Sequence, residues 1–293
     1  MAIQRLPVEP HHGPRDSQTH AEGIPARQPS ESLLAELPFS LIDLAHRFDG
    51  PDVKALALTG SYARGTHGIF SDLDLLRYID TPPAHPPRET HLVDGRLISL
   101  CNIPLPIAEE CFIRPELIVV SLAGLRTARA LIDRGGYFAH LQARARAFVW
   151  DAAVQRRADV WSSRQMAHLS EAAHKGLDGV RGGGVGRLLN GRNECAWGAV
   201  RVILVQRGVL MESDNSFYEA AIGAVGRQSR WAQQLRIALG IEDERGLGPS
   251  LIEQVIGGLR LYAETAKLLG EVIQPADRAV VRQTVELIEG VLG

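Results

Sequence analysis

One short stretch constrains this chain more than any other. An apolar run, Ala55-Leu56-Ala57-Leu58, stops at Gly60-Ser61, and a second apolar segment follows with aspartates at alternate positions, Asp72-Leu73-Asp74-Leu75. The first run reads as a buried strand ended by a turn. Gly60 has no Cβ, so the backbone can bend sharply there and an anion can come close. Ser61 brings a hydroxyl and a backbone N–H to an expected helix start, where unpaired N–H groups favour anions. Arg64 adds a fixed positive charge about one turn on. Strand side chains alternate, so Asp72 and Asp74 point one way while Leu73 and Leu75 point into the core. Two neighbouring carboxylates repel unless a cation lies between them. Hard oxygen donors suit Mg2+ or Mn2+, and Mg2+ takes one or two carboxylates together with substrate phosphates. The pattern therefore predicts a phosphate-gripping turn beside a metal-gripping carboxylate pair.

The surrounding segments predict an α+β fold. Glu31 to Phe48 has helical spacing and ends at Asp49-Gly50-Pro51. Strands are expected from Ala55, from Leu73 to Ile79, and on either side of Asp94-Gly95, a strong hairpin signal between Glu89–Val93 and Arg96–Ile103. Thr81 to Pro87 is too rich in proline to enter a sheet. Pro115 to Leu131 reads as a helix, and Phe138 to Phe148 opens a long helical stretch. Beyond it Ala152–Val180, Arg187–Arg207, Ser216–Leu239, Ser250–Leu269 and Pro275–Leu292 carry helical spacing, and no strand is expected. Gly182-Gly183-Gly184-Val185-Gly186 is read as a helix–helix connection, since no strand precedes it. The expected organisation is a tail over residues 1–30, a mixed-sheet domain over 31–148 and an all-α bundle of about five helices over 149–293.

With these residues in view, Gly60-Ser61 and Asp72-x-Asp74 resemble the signature of the DNA polymerase beta-like nucleotidyltransferase superfamily. The run GSYARGTHGIFSDLDL is similar to small bacterial members, among them minimal, aminoglycoside and lincosamide nucleotidyltransferases. The resemblance is specific from Leu56 to Arg77 and looser through Asp94-Gly95 to Ala130–Gly136. It implies transfer of a nucleoside monophosphate from a triphosphate, ATP being the expected one, to a hydroxyl of a small molecule or protein, with release of pyrophosphate. It assigns Gly60, Ser61 and Arg64 to the nucleotide, and Asp72 and Asp74 to Mg2+ or Mn2+ and to catalysis. A helical bundle following the catalytic domain also fits these relatives.

The superfamily usually adds a third carboxylate on a later strand. Here the candidate strand is Arg96–Cys101 and the aligned position is Ser99, a poor Mg2+ ligand. Three readings follow: Asp94 or Glu89 takes the role, a carboxylate from the helical half substitutes, or the protein binds nucleotide as a weakened, regulatory or antitoxin-like relative. Some family members take a general base from the bundle. Glu171 and Glu194 are the candidates, although Lys175 at i+4 also makes Glu171 an ordinary helix-surface partner. Trp150, Trp161, Trp197 and Trp231 are read first as packing residues.

Composition bounds the rest. The chain has 293 residues, is 45% apolar and 23% charged, and carries a formal charge of -2. That size allows two cores, and the charge gives no footprint for long nucleic acid. Three widely spaced cysteines suggest a reducing cytoplasm rather than a disulfide framework. No apolar run is long enough to span a membrane, and the Pro- and His-rich start lacks a signal-peptide core. The oligomer is left open, a homodimer included.

Overall fold

The computed structural model describes residues 39–80, 86–241 and 248–293. The expected tail, the front of the first helix and most of the proline-rich loop lie outside the described residues.

Helix α1 covers Leu41–Phe48, with the Ser40 side chain accepting from the Asp43 N–H at 3.0 Å. Strand β1 (Val53–Thr59) follows, then a five-residue helix α2 (Gly60–Arg64) and strand β2 (Leu73–Ile79). Strands β3 (Arg88–Val93) and β4 (Arg96–Pro104) form the hairpin read from Asp94-Gly95. Both turn residues have positive φ, 45° and 79°, as a two-residue hairpin turn of this hand needs. Helices α3 (Leu105–Glu110) and α4 (Pro115–Thr127) lead into β5 (Arg129–Asp133) and α5 (Tyr137–Ala147). The helix expected to reach Leu131 stops at Thr127, because the chain must extend at Arg129 to pair with β1.

The sheet runs β3-β4-β2-β1-β5. It is mixed: β2 and β4 are parallel and the other pairs are antiparallel. Alternation sorts the side chains onto two faces. Leu56, Leu58, Leu73 and Leu75 pack under α1 and α2 with Leu44 and Phe48. Ala55, Ala57, Leu76 and Tyr78 face α4 and α5 with Ile118, Leu122 and Phe138. Asp74 alternates with Leu73 and Leu75, so it lies on the second face.

Beyond residue 148 every described element is helical. The helices are α6 (Ala152–Gly182), α7 (Val185–Gln206), α8 (Phe217–Val225), α9 (Arg230–Ala238), α10 (Leu251–Leu269) and α11 (Pro275–Leu292). The architecture is thus α+β, with a five-stranded mixed sheet followed by a helical region. The single helix expected over Ser216–Leu239 is two, broken at Gly226 and restarted by Ser229, whose side chain accepts from the Ala232 N–H at 3.1 Å. The glycine-rich run joins α6 to α7, as expected of a helix connection. Trp231 is a core residue, 1% exposed, with its indole N–H donated to Thr265.

The two regions share packing. Val119 of α4 clusters with Ala158 and Val205, and the Met211 N–H donates to the Val119 carbonyl at 2.7 Å. Leu210 joins the apolar cluster on the second sheet face. The segment after α7 therefore runs back over the α/β region, on the face that carries Asp74.

Candidate functional site

Gly60 and Asp74 define the site. Thr59 pairs with Asp74 across β1 and β2, which brings the turn after β1 beside the first residues of β2. Gly60 has φ +69°, and a Cβ added there would lie 2.1 Å from Asp74 Oδ2. The missing side chain thus leaves the space that the Asp74 carboxylate fills. The chain then makes one short helical turn, closed by Gly65 with φ 71° and by the Thr66 N–H donating to the Ser61 carbonyl at 2.9 Å. Ser61 and Arg64 are half-buried on this turn, while Tyr62 and Ala63 face the core. Tyr62 stacks on His67, with ring centroids 4.0 Å apart.

Asp72 precedes β2 rather than lying in it, since the strand opens at Leu73. It still shares the Asp74 surroundings. Burial, with Asp72 adding its negative charge, pushes the Asp74 carboxyl up to about 6, and Arg64 opposes the rise. Gly60, Arg64, Asp72 and Asp74 are therefore gathered in one half-buried corner. Ser61 is the next residue of the same turn.

The third-ligand question has a geometric answer. Ser99 lies beside Asp74 in the parallel β2–β4 register, and Thr90 faces Ser99 from β3. The strand position next to Asp74 therefore holds a hydroxyl, and behind it stands another. Glu89 is not available: it alternates with Thr90 and lies on the opposite face. There it accepts from Arg77 Nη2 at 2.8 Å and from Asn102 Nδ2 at 2.6 Å. Asp94 is the first turn residue of the hairpin and lies beyond the end of β3. Among the described residues no group of three or more His, Cys, Asp or Glu is placed to hold a metal ion. Farther out on the same face Leu92 and Leu97 are exposed, and Phe70, just before the aspartates, is 94% exposed.

One carboxylate from the helical region acts on the corner through its charge, and it is neither candidate read from the sequence. Asp214 adds to the negative field on Asp74. It sits on a one-turn 3-10 helix, Asp214–Ser216, set by Ser213, whose side chain accepts from the Asn215 N–H at 3.2 Å. The segment is anchored just upstream by Met211 and Leu210. Glu171 points to solvent and is paired with Lys175 at 2.6 Å, which holds its carboxyl below the usual range. Glu194 is exposed on α7. Asp214 leaves a faint sequence signal, an acid in a turn-rich break between helices, and nothing in its spacing ties it to position 74.

The comparisons bear on this corner. Residues 42–97 match the family model of the nucleotidyltransferase domain. Over that stretch the α/β region is similar to a nucleotidyltransferase domain. The matched stretch covers nearly all of α1, the Gly60 turn, both aspartates, β3 and the hairpin turn, and stops at the start of β4. A nucleotidyltransferase-like protein from Exiguobacterium sibiricum 255-15, known from a crystal structure, is 11% identical, with a TM-score of 0.46 over 86% of this chain and 90% of its own. No curated protein matches the sequence. The domain supports nucleotidyl transfer in general. Among the described residues no helix is long and apolar enough to cross a membrane.

Proposed function

We propose that the protein transfers a nucleoside monophosphate from a nucleoside triphosphate, ATP in the simplest case, to a hydroxyl of a small molecule or protein, releasing pyrophosphate. The observation that carries this reading is the half-buried Asp72–Asp74 pair set against the Gly60 bend inside a nucleotidyltransferase domain. Its donor set suits Mg2+ or Mn2+. Two carboxylates repel one another in a partly desolvated corner, and the remaining positions of a hard cation go to phosphate oxygens and water. When bound, such an ion neutralises charge on the triphosphate and on the leaving pyrophosphate.

The chain's own groups do the rest. The backbone at Gly60 and Ser61 and the Arg64 guanidinium hold the triphosphate, with Asp72 and Asp74 as the metal carboxylates. The acceptor oxygen attacks the α-phosphorus, the bond to the bridging oxygen breaks, and pyrophosphate leaves with that oxygen. Asp214, whose negative charge acts on Asp74 from the helical side, is the carboxylate we assign to take the acceptor's proton. With Ser99 beside Asp74, β4 offers a hydroxyl there and no third carboxylate. A cytoplasm supplied with nucleoside triphosphate, where Cys101, Cys111 and Cys195 stay free thiols, suits this chemistry.

The test is pyrophosphate release from ATP with Mg2+ over a panel of hydroxyl acceptors. Asp72→Asn should lower the rate at least about a hundredfold, with circular dichroism unchanged. Full activity in that variant defeats the assignment. Binding of ATP without turnover by the native protein on every acceptor defeats the transferase reading.

A further inference from the structure

β3 ends the sheet, and among the described residues no strand pairs with its outer edge. The hairpin fixes which backbone groups point outward. Asp94 and Gly95 make a two-residue turn, so Val93 and Arg96 form the closing hydrogen-bonded pair. Alternation carries that pattern to His91 and Glu89, and the Asn102 N–H donates to the Pro87 carbonyl at 2.9 Å. The N–H and C=O groups of Arg88, Thr90 and Leu92 therefore point away from β4. These three residues are also exposed.

An open edge is usually blunted by a bulge, a proline or a lysine. β3 keeps an unbroken register from Arg88 to Val93 and contains neither proline nor lysine. Leu92 is 70% exposed, and its β4 neighbour Leu97 is exposed beside it. An apolar side chain on an unpaired edge invites another strand.

The segment is complementary to itself. A two-fold axis through Thr90 pairs two copies antiparallel, with Arg88 facing Leu92, Glu89 facing His91 and Thr90 facing Thr90. The Arg88–Leu92 and Thr90–Thr90 pairs use the outward backbone groups, and the Arg88 stem covers the leucine. Glu89 and His91 meet at the closer, non-hydrogen-bonded position on the opposite face. Within one chain His91 Nε2 already lies 3.1 Å from Glu89 Oε2, so the two copies set acid against imidazole from both sides. Neighbouring registers lose this match. Centring on Arg88 sets like charges face to face, and centring on Leu92 runs β3 past its end into the Asp94 turn.

We infer that the outer edge of β3 is a homodimer interface, at which two copies of this chain pair antiparallel about Thr90 and join their five-stranded sheets into one. The pairing needs no nucleotide and no metal, so it stands apart from the transferase reading.

Sedimentation equilibrium on the full-length protein at about 10 μM should give twice the 31.9 kDa of the chain. Leu92→Lys sets a cation opposite Arg88 and should weaken the dimer at least tenfold. Leu92→Glu loses the same apolar side chain but sets an anion there, and should keep the dimer. Thr90→Pro removes an outward N–H and no bond to β4, so it should yield a monomer with unchanged circular dichroism. Oxidised glutathione should link Thr90→Cys into a covalent dimer, since the paired Cα atoms would lie about 5.5 Å apart. Leu92→Cys, whose two copies would lie roughly 14 Å apart, should not link, and the native protein with its three free cysteines is the blank. A native protein that sediments as a monomer overturns the inference and leaves the edge to a different partner. A dimer that Leu92→Lys and Thr90→Pro both leave intact overturns it too, by placing the contact elsewhere. Equal weakening by Leu92→Lys and Leu92→Glu refutes the register.

Discussion

Replacing Asp74 with Asn should make the metal-free protein more stable at neutral pH while removing its activity. The reason lies in what surrounds the carboxyl. Burial, with Asp72 and Asp214 adding negative charge, lifts it from an ordinary 3.8 to about 6. The folded state thus holds this proton more tightly than the unfolded chain does. The group costs nothing below about pH 4, and the cost grows as the pH rises through 6. At 1.36 kcal/mol per pH unit the rise corresponds to roughly 3 kcal/mol. Asp74 is only half-buried and solvent screens part of the repulsion, which leaves about 1–2 kcal/mol. Asn has the same shape and no charge. In EDTA at pH 7.5 the variant should melt about 2–4 °C above the native protein, and at pH 4 the two should coincide. Mg2+ or Mn2+ should raise the native melting point and leave that of Asp74→Asn nearly unmoved. A variant that melts below the native protein at pH 7.5, or differs from it equally at both pH values, would refute the reasoning.

Three further outcomes follow from the same geometry. Gly60→Ala forces a Cβ to within 2.1 Å of Asp74 Oδ2 at φ +69°, so it should cost about 1–2 kcal/mol of stability from the backbone alone and weaken Mn2+ binding in calorimetry; unchanged Mn2+ affinity would count against the cradle. Ser99→Asp places a third carboxylate beside Asp74 in the parallel register, so it should destabilise the metal-free protein and bind Mn2+ about tenfold tighter, and a loss of affinity would contradict the register. Glu89→Ala leaves the buried Arg77 without its carboxylate, so denaturation should show a loss of about 3 kcal/mol while Mn2+ affinity holds, because the pair lies on the opposite face.

Much of the fold was legible because its signals are local. The Leu73–Ile79 strand, the Asp94-Gly95 hairpin and the Pro275 helix start each follow from alternation, turn chemistry or proline geometry within a few residues. Ser99 was read as the position of the family's third carboxylate, but its pairing with Asp74 belongs to the β2–β4 register, which no local pattern sets. The misread boundaries share another cause. The helix after Pro115 ends at Thr127 because β5 must pair with β1, and pairing partners are invisible to a local window. The break between α8 and α9 was missed because the apolar residues on either side of it, such as Ile222 and Trp231, were read as one helical pattern, although Gly226 and Ser229 mark the stop and restart. Asp214 is the largest omission. A carboxylate carried on a turn acts on a strand about 140 positions earlier only through the route of the chain between α7 and α8, and no spacing rule encodes that route.

The strap from Val209 to Ser216 has one more consequence. Its Met211 amide is bonded to the middle of α4, and Val119 on that helix is sealed by Ala158 and Val205. Cutting the gene between the two regions would therefore not liberate a self-sufficient catalytic module. The shortened protein would carry an unsealed oily seam along α4 and an aspartate pair stripped of its distant neighbour, so chemistry and solubility would be forfeited together.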